Sequence, residues 1–222
     1  LITGTNRGIG LEMARQALAK GWTVYGLARN PGSDPLARLS GDPKFFDLTF
    51  DVTDHEAVRA AAAGITEPID ILINNAGIIG PERQSTLDMD FDGFAQTLAI
   101  NTLAPLAVSQ AFLQHLRRSA KPRILTVSSS MGRMSYAKSD RIAYRASKAA
   151  VNKVMQGLAT DHEPSDVSVP VLHPGWVRTD MGGAEADIDP SESAAGILSV
   201  AEGLTLEGTG QFLNWDGSPA EW

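Results

Sequence analysis

Apolar residues in this chain fall alternately into short dense runs and into longer stretches where they recur every third or fourth position, and the alternation continues from end to end. Dense runs bounded by turn residues predict buried strands, and the helical recurrence predicts helices packed by one face. A strand ending at Thr3 leads through a glycine-rich turn into a helix from about Ile9 to Lys20, which Gly21 can close in the left-handed conformation. Thr23 to Ala28 predicts the second strand and Phe45 to Phe50 the third. Thr53-Asp-His-Glu56 has the capping-box spacing at the head of an Ala-rich helix. Ile69 to Ile73, Arg123 to Val127, Val167 to Leu172 and Gly210 to Asn214 predict the four remaining strands. Between them lie a long helix, roughly Phe91 to Arg118, and a helix carrying Tyr144 and Lys148 that ends near Asp161. Asp189-Pro190-Ser191-Glu192 opens the last helix with an N-cap, a proline at the first helical position and a glutamate at N3.

Strands alternating with helices imply an α/β fold, with a parallel sheet of about seven strands covered on both faces. A length of 222 residues permits one domain or two small ones, but no linker, low-complexity tract or repeat divides the chain, so a single domain over 1–222 is expected. It opens at Leu1 without a methionine and inside a strand, so that strand is expected to be truncated.

Composition narrows the partners. The 43% apolar content suffices for a large core, yet no apolar run approaches the ~20 residues that span a bilayer. The longest, Ala104 to Leu116, is interrupted by Pro105, Ser109, Gln110 and Gln114. A net charge of -7 with no run of Lys or Arg argues against nucleic acid and anionic membrane, and for a small-molecule ligand. The absence of cysteine excludes disulfides, thiolate metal sites and a cysteine nucleophile; it fits a reducing compartment such as the cytoplasm without requiring one. His55, His115, His162 and His173 show no metal-ligand spacing, and Ser129 lies in no Gly-x-Ser-x-Gly elbow, so neither a metal hydrolase nor a serine hydrolase is expected.

Two local patterns carry chemistry. Thr3-Gly4-Thr5-Asn6-Arg7-Gly8-Ile9-Gly10 sits at the first strand-to-helix junction, where glycines let backbone N–H groups and a helix N-terminus approach a pyrophosphate. Its spacing is Gly-x3-Gly-x-Gly rather than the commoner Gly-x-Gly-x-x-Gly, and a glycine-rich loop can also be an ordinary turn. Where an acidic residue would bind the ribose hydroxyls of NAD, the second strand ends in Arg29. Arg29 and Arg7 suit a 2′-phosphate, so NADP(H) is expected over NAD(H), although a solvated surface arginine explains either residue alone. Tyr144 and Lys148 stand four apart on a helix and so share a face. A neighbouring cation favours a phenolate and lowers the tyrosine value from its ordinary ~10. A solvated helix face also produces that spacing.

Taken together, the motifs Thr3-Gly4-x3-Gly8-x-Gly10, Asn74-Asn75-Ala76-Gly77, Ser129 and Tyr144-x3-Lys148 resemble those of the short-chain dehydrogenases/reductases, over nearly the whole chain and in the family's order. Arg29-Asn30-Pro31, Tyr144-Arg-Ala-Ser-Lys-Ala-Ala150 and His173-Pro-Gly-Trp-Val-Arg-Thr-Asp180 look most like the branch of C-factor-like proteins and sniffer-type carbonyl reductases. The resemblance implies a Rossmann fold, a doubly wound sheet in the order 3-2-1-4-5-6-7, and an NADP(H)-dependent carbonyl reductase or alcohol dehydrogenase. It makes Tyr144 the general acid, Lys148 the group that lowers its pKa and holds the nicotinamide ribose, and Ser129 the residue that polarises the carbonyl.

Ser128, Ser129 and Ser130 are consecutive, and the family's serine precedes a glycine by three residues, which through Gly132 selects Ser129; otherwise all three simply satisfy a strand end. Asn101 matches the asparagine that holds a water linking the lysine to solvent, or else is a helix-interior polar residue bonded locally. Cofactor contacts are implied for Gly4, Asn6, Arg7, Gly8, Ile9 and Gly10, for Arg29, for Asp51 and Val52 beside the adenine, and for Asn75, Ala76 and Gly77. Pro174, Gly175, Val177 and Thr179 follow near the nicotinamide, and Tyr144 and Lys148 complete the set.

A candidate substrate lid spans 179–202, with its irregular part from Thr179 to Asp189; an ordinary loop is the alternative. Met131, Met134, Tyr136 and Trp176 are candidates for an apolar substrate pocket or for the core. The resemblance allows a homodimer, a homotetramer or a monomer. It also leaves a non-enzymatic alternative, an NADP(H)-binding signalling or redox-sensing protein of C-factor type.

Overall fold

The computed structural model describes residues 1–29, 37, 39–162 and 166–222, so Asn30 and Pro31 of the Arg29-Asn30-Pro31 run lie outside the described residues. Seven parallel strands form the sheet: β1 (Ile2–Thr3), β2 (Val24–Ala28), β3 (Phe45–Thr49), β4 (Ile71–Asn74), β7 (Arg123–Val127), β8 (Val171–His173) and β9 (Phe212–Asn214). Their spatial order is β3-β2-β1-β4-β7-β8-β9, the expected order once a separate antiparallel hairpin, β5 (Gln84–Ser85) with β6 (Asp88–Met89), is set aside. The helices are α1 (Gly8–Ala19), α2 (His55–Ala63), α3 (Phe91–Leu98), α4 (Ala104–Leu116), α5 (Ile142–His162) and α6 (Pro190–Gly203).

Alternate residues of the central strands feed two separate cores, because successive side chains of a strand point to opposite faces. Tyr25, Leu27, Leu72 and Ile124 join Val58 of α2, Phe112 and Leu116 of α4, and Val151 and Met155 of α5. Val24, Ala28, Ile73 and Leu125 join Met13, Ala14 and Ala17 of α1 and Ile197, Leu198 and Ala201 of α6. The result is three layers with a sheet buried on both sides. All five residues of β2 are buried, the signature of a central parallel strand.

Helix ends follow local chemistry, with three departures from the expected pattern. Gly21 closes α1 at φ +81, with Gly21 N–H to Leu18 O at 2.8 Å and Trp22 N–H to Ala17 O at 3.1 Å, the paired bonds of a Schellman motif. At α2 the cap is Asp54 rather than Thr53: its carboxylate accepts from Glu56 and Ala57, while the Thr53 hydroxyl donates to Asp51. At α6, Asp189 occupies the N-cap position without a side-chain cap bond, because its carboxylate accepts from Arg178 Nε at 2.8 Å. The single long helix expected from Phe91 to Arg118 is instead α3 and α4 joined by a π-helical turn at Ala99–Leu103. Strand β8 is shorter than its apolar run because Pro170 has no N–H to donate, although Ser168 still bridges Arg123.

Candidate active site

The strand order reverses direction between β1 and β4, and a crevice opens there beyond the carboxyl ends of the strands. Its walls are stitched by polar groups at those ends. The Thr3 hydroxyl accepts from the N–H groups of Asn75 and Ala76, both at 3.0 Å, and Asn75 Nδ2 donates back to Thr3 O at 2.9 Å. Gly4 and Gly8 have φ of +75 and +55, a region that side chains rarely adopt. Gly10 is required for a different reason: a Cβ there would lie 2.1 Å from Gly4 O, so only glycine lets α1 press against the turn.

The cleft has a volume of about 470 Å³. Gly4, Asn6, Arg7, Gly8, Ile9 and Gly10 line one end, with Arg29, Asp51 and Val52 beside them. Asn75, Ala76, Gly77, Tyr144, Lys148, Pro174 and Thr179 line the rest. The first turn of α1 carries no acidic residue and its N-cap, Arg7, makes no side-chain cap bond, so the helix terminus suits an anion. Both arginines already face carboxylates: Arg7 Nη1 is 2.7 Å from Asp180, and Arg29 Nη1 is 3.9 Å from Asp51. These pairs are largely exposed and therefore weak, of order 0–1 kcal/mol, so a phosphate can replace either carboxylate. The donor set and the glycine cradle fit a phosphorylated dinucleotide.

Deeper in the cleft, α5 presents Tyr144 and Lys148 on one face. Lys148 Nζ donates to Val127 O at 2.9 Å and lies 5.7 Å from the centroid of the Tyr144 ring. Ser129 lies near enough to the Tyr144 phenol to oppose the rise of its pKa, and its hydroxyl accepts from Met131 N–H at 3.1 Å. The three consecutive serines separate by partner. Ser128 turns to α5 and donates to Asn152 Oδ1 at 2.5 Å, while Ser130 N–H donates to His173 Nδ1 at 3.3 Å. Gly132 brings this turn onto the helix, since a Cβ there would lie 2.8 Å from the Lys148 carbonyl carbon.

Asn101 sits in the π-helical turn, fully buried. Its Nδ2 donates to Ile78 O at 2.8 Å and Ser147 Oγ at 2.9 Å, and its Oδ1 accepts from Ile78 N–H at 2.9 Å. Both amide hydrogens are committed, so the Asn101 side chain can offer a water only an acceptor.

Burial dominates the electrostatics. It pushes the Tyr144 phenol above its ordinary value, against the opposing pull of the Ser129 hydroxyl and the Arg141 charge. Lys148 is not among the groups that lower the phenol here, so the lowering expected from it is not seen. Burial also lowers Lys148 to about 8. His173 is held near 4 by burial and by the Arg133 charge, so at neutral pH it is an uncharged acceptor for Ser130.

Some expected residues lie elsewhere. Gly175 is outside the cleft wall, at φ +85, where a Cβ would meet Ile188 Cδ1 at 2.6 Å. Val177 is buried and bridges Ile188. Met134, Tyr136 and Trp176 are exposed and do not gather into the cleft; Tyr136 lies under the Arg145 guanidinium and Trp176 Nε1 donates to Gly182 O. Met181 lines the cleft in their place, a residue that no sequence pattern singled out. Gln84 and Ser147 also contact the site's framework without belonging to a motif; Ser147, inside Tyr144-x3-Lys148, is legible only as a small residue on the inner face of α5.

The sequence profile of the short chain dehydrogenases matches residues 1–188. C-signal of Myxococcus xanthus is 41% identical over 168 residues, covering 74% of this chain and 100% of that protein. The 1-hydroxy-2-glutathionyl-2-methyl-3-butene dehydrogenase of Rhodococcus sp. strain AD45 is 32% identical over 231 residues, covering 100% and 98%. Among solved structures, the NADPH-bound carbonyl reductase from chicken fatty liver has a TM-score of 0.91 at 32% identity, covering 100% of this chain and 97% of that one. The carbonyl reductase Sniffer of D. melanogaster has a TM-score of 0.94 at 29% identity, covering 100% and 98%.

Proposed function

This chain belongs to the short chain dehydrogenase family of oxidoreductases, and we propose that it is an NADP(H)-dependent reductase of carbonyl compounds in which Tyr144 donates the proton. The observation that carries the proposal is the buried pair Tyr144 and Lys148 lining the glycine-cradled cleft, with Ser129 buried behind the cleft wall. Gly4, Gly8 and Gly10 with the α1 terminus would hold the pyrophosphate, Arg7 and Arg29 the 2′-phosphate, and Lys148 the nicotinamide ribose. When bound, NADPH supplies the hydride.

The residues supply the rest of the chemistry. As negative charge develops on the carbonyl oxygen, the Tyr144 phenol transfers its proton to that oxygen, and Ser129 stabilises the same oxygen by hydrogen bonding. The phenolate left behind is stabilised by the Lys148 ammonium and is reprotonated from solvent. Because burial raises the Tyr144 value, the phenol holds its proton throughout the neutral range, which favours reduction over oxidation. Asn101 ties Ile78 to α5 and so fixes the cleft wall next to Lys148. The movable part of the candidate lid is confined to 179–189, since α6 is packed into the core.

Nucleotide binding without turnover, the signalling alternative, is the poorer account. It gives no role to the Tyr144 phenol and the Ser129 hydroxyl buried beside Lys148. NADPH consumption by the wild-type protein against a panel of aromatic and aliphatic ketones and aldehydes tests the proposal. Turnover of at least one carbonyl is expected; tight NADPH binding with none turned over contradicts it.

A further inference from the structure

We propose that Gln84 is a positioning residue for the proton transfer, fixing the backbone of Tyr144 and thereby the aim of its phenol. This rests on the reading of Tyr144 as proton donor. Tyr144 lies in the first turn of α5, where backbone N–H groups lack intrahelical acceptors. The first regular bond of that helix runs from Arg145 N–H to Arg141 O at 2.9 Å. One residue earlier, Tyr144 N–H has no intrahelical acceptor, because Arg141 at φ +52 turns the chain out of the helix before Asp140, whose carbonyl accepts from Arg145 Nε at 2.8 Å. Gln84 Oε1 supplies the missing acceptor at 3.1 Å.

The amide of Gln84 has one orientation that satisfies its surroundings. It is buried, and its Nε2 donates to Ile79 O at 3.1 Å and Pro81 O at 2.7 Å, leaving only the oxygen for the helix. Its backbone is set by the β5–β6 hairpin, which pairs Gln84 with Met89. Gly80, at φ +91, makes room: a Cβ there would lie 3.0 Å from Thr97 Oγ1 and 3.2 Å from Gln84 Oε1. The segment that leaves the cleft wall after Gly77 is thus tied to α5 twice, by Asn101 from Ile78 to Ser147 and by Gln84 from Ile79 and Pro81 to Tyr144. The cap sets proton donor and cofactor wall in one register.

Two variants test this. Gln84→Met keeps length but neither donates nor accepts comparably; Gln84→Glu keeps an acceptor at every pH but regains a donor that anchors it to Ile79 O or Pro81 O only when protonated, its ionised form being repelled by those carbonyls. Turnover with NADPH of a carbonyl found active in the ketone and aldehyde panel, NADPH affinity by fluorescence, and the pH titration of the Tyr144 Cζ signal by 13C NMR, assigned with Tyr144→Phe, are measured in each. In Gln84→Met, kcat is expected to fall about 10- to 100-fold, with NADPH affinity within about threefold of wild type. The phenol titration is expected to move down towards the ordinary tyrosine value as the turn loosens. In Gln84→Glu, kcat is expected to recover as pH falls through the carboxyl range, a limb absent from wild type.

A folded Gln84→Met with wild-type kcat and wild-type phenol titration overturns the proposal. If that variant does not fold, a Gln84→Glu profile identical to wild type overturns it instead. Tyr144→Phe turning over at the wild-type rate contradicts the proton-donor reading itself. A silent Tyr144→Phe beside a fully active Gln84→Met contradicts only the role of Gln84.

Discussion

Lys148 is an amine that the fold holds at a cost, and its replacement separates stability from chemistry. Its value of about 8 lies below the ordinary 10.5, so between those pH values the unfolded chain binds the additional proton and stability rises with pH. Below pH 8 both states carry the charge and the cost is constant, about 3 kcal/mol. Lys148→Met removes that cost but leaves Val127 O without its donor, a loss of order 1 kcal/mol. The variant is therefore expected to be inactive yet to melt about 2–8 °C higher at pH 7, with the difference shrinking as pH rises from 8 to 10. A lower melting temperature at pH 7 would show that the ammonium is stabilised by contacts the burial argument omits. Ser129→Ala is expected to lower kcat about 100-fold with little change in NADPH affinity, because its hydroxyl serves the developing oxyanion. Equal kcat in steady-state assays would remove Ser129 from the chemistry. At this scale the sequence was informative about identity and silent about environment: Tyr144-x3-Lys148 identified the pair, but the raised phenol comes from neighbours distant in the chain.

At the level of elements, the legible parts were those governed by local chemistry. Gly21 as the C′ residue of α1 and Pro190 at the start of α6 were readable because each conformation depends on a few adjacent residues. The π-helical turn was not, because Ala99–Leu103 has ordinary helix-forming residues and the wide turn is held by tertiary bonds from Asn101 to Ile78 and Ser147. Asn101→Ala leaves Ile78 N–H and O and Ser147 Oγ without that partner; a stability loss of about 2–4 kcal/mol in urea titration is expected. A loss below about 0.5 kcal/mol would mean the π-turn persists without its amide. Gly132→Ala probes the contact between the Ser129 turn and α5. Its Cβ would meet the Lys148–Ala149 peptide, at 2.8 Å from the Lys148 carbonyl carbon and 2.9 Å from Ala149 N, and that helical backbone cannot rotate away. A stability loss of about 1–3 kcal/mol with a matching fall in kcat is expected; unchanged kinetics would uncouple that turn from catalysis.

For the whole molecule, the seven-strand order was accessible because a parallel α/β sheet follows from strict alternation of elements together with the family resemblance. The β5–β6 hairpin was not, since its four residues carry no periodicity. The sheet places the ends of β1, β4, β7 and β8 around one crevice, which brings residues far apart in sequence, from Gly4 to Thr179, to a common site. Cofactor choice belongs to this scale because Arg7 and Arg29 come from different elements and each is balanced by a distant carboxylate. Arg29→Asp is expected to weaken NADPH binding about 10- to 100-fold in fluorescence titrations while changing NADH binding little. Equal losses for both nucleotides would remove the 2′-phosphate from the account. The central claim is that Tyr144 delivers the proton to a carbonyl reduced at the expense of NADPH. Single-turnover NADPH oxidation with a carbonyl substrate, in wild type and in Tyr144→Phe of matched NADPH affinity, tests it most directly: a rate loss of about 100- to 10,000-fold is predicted, and an undiminished rate in the phenylalanine variant would contradict it.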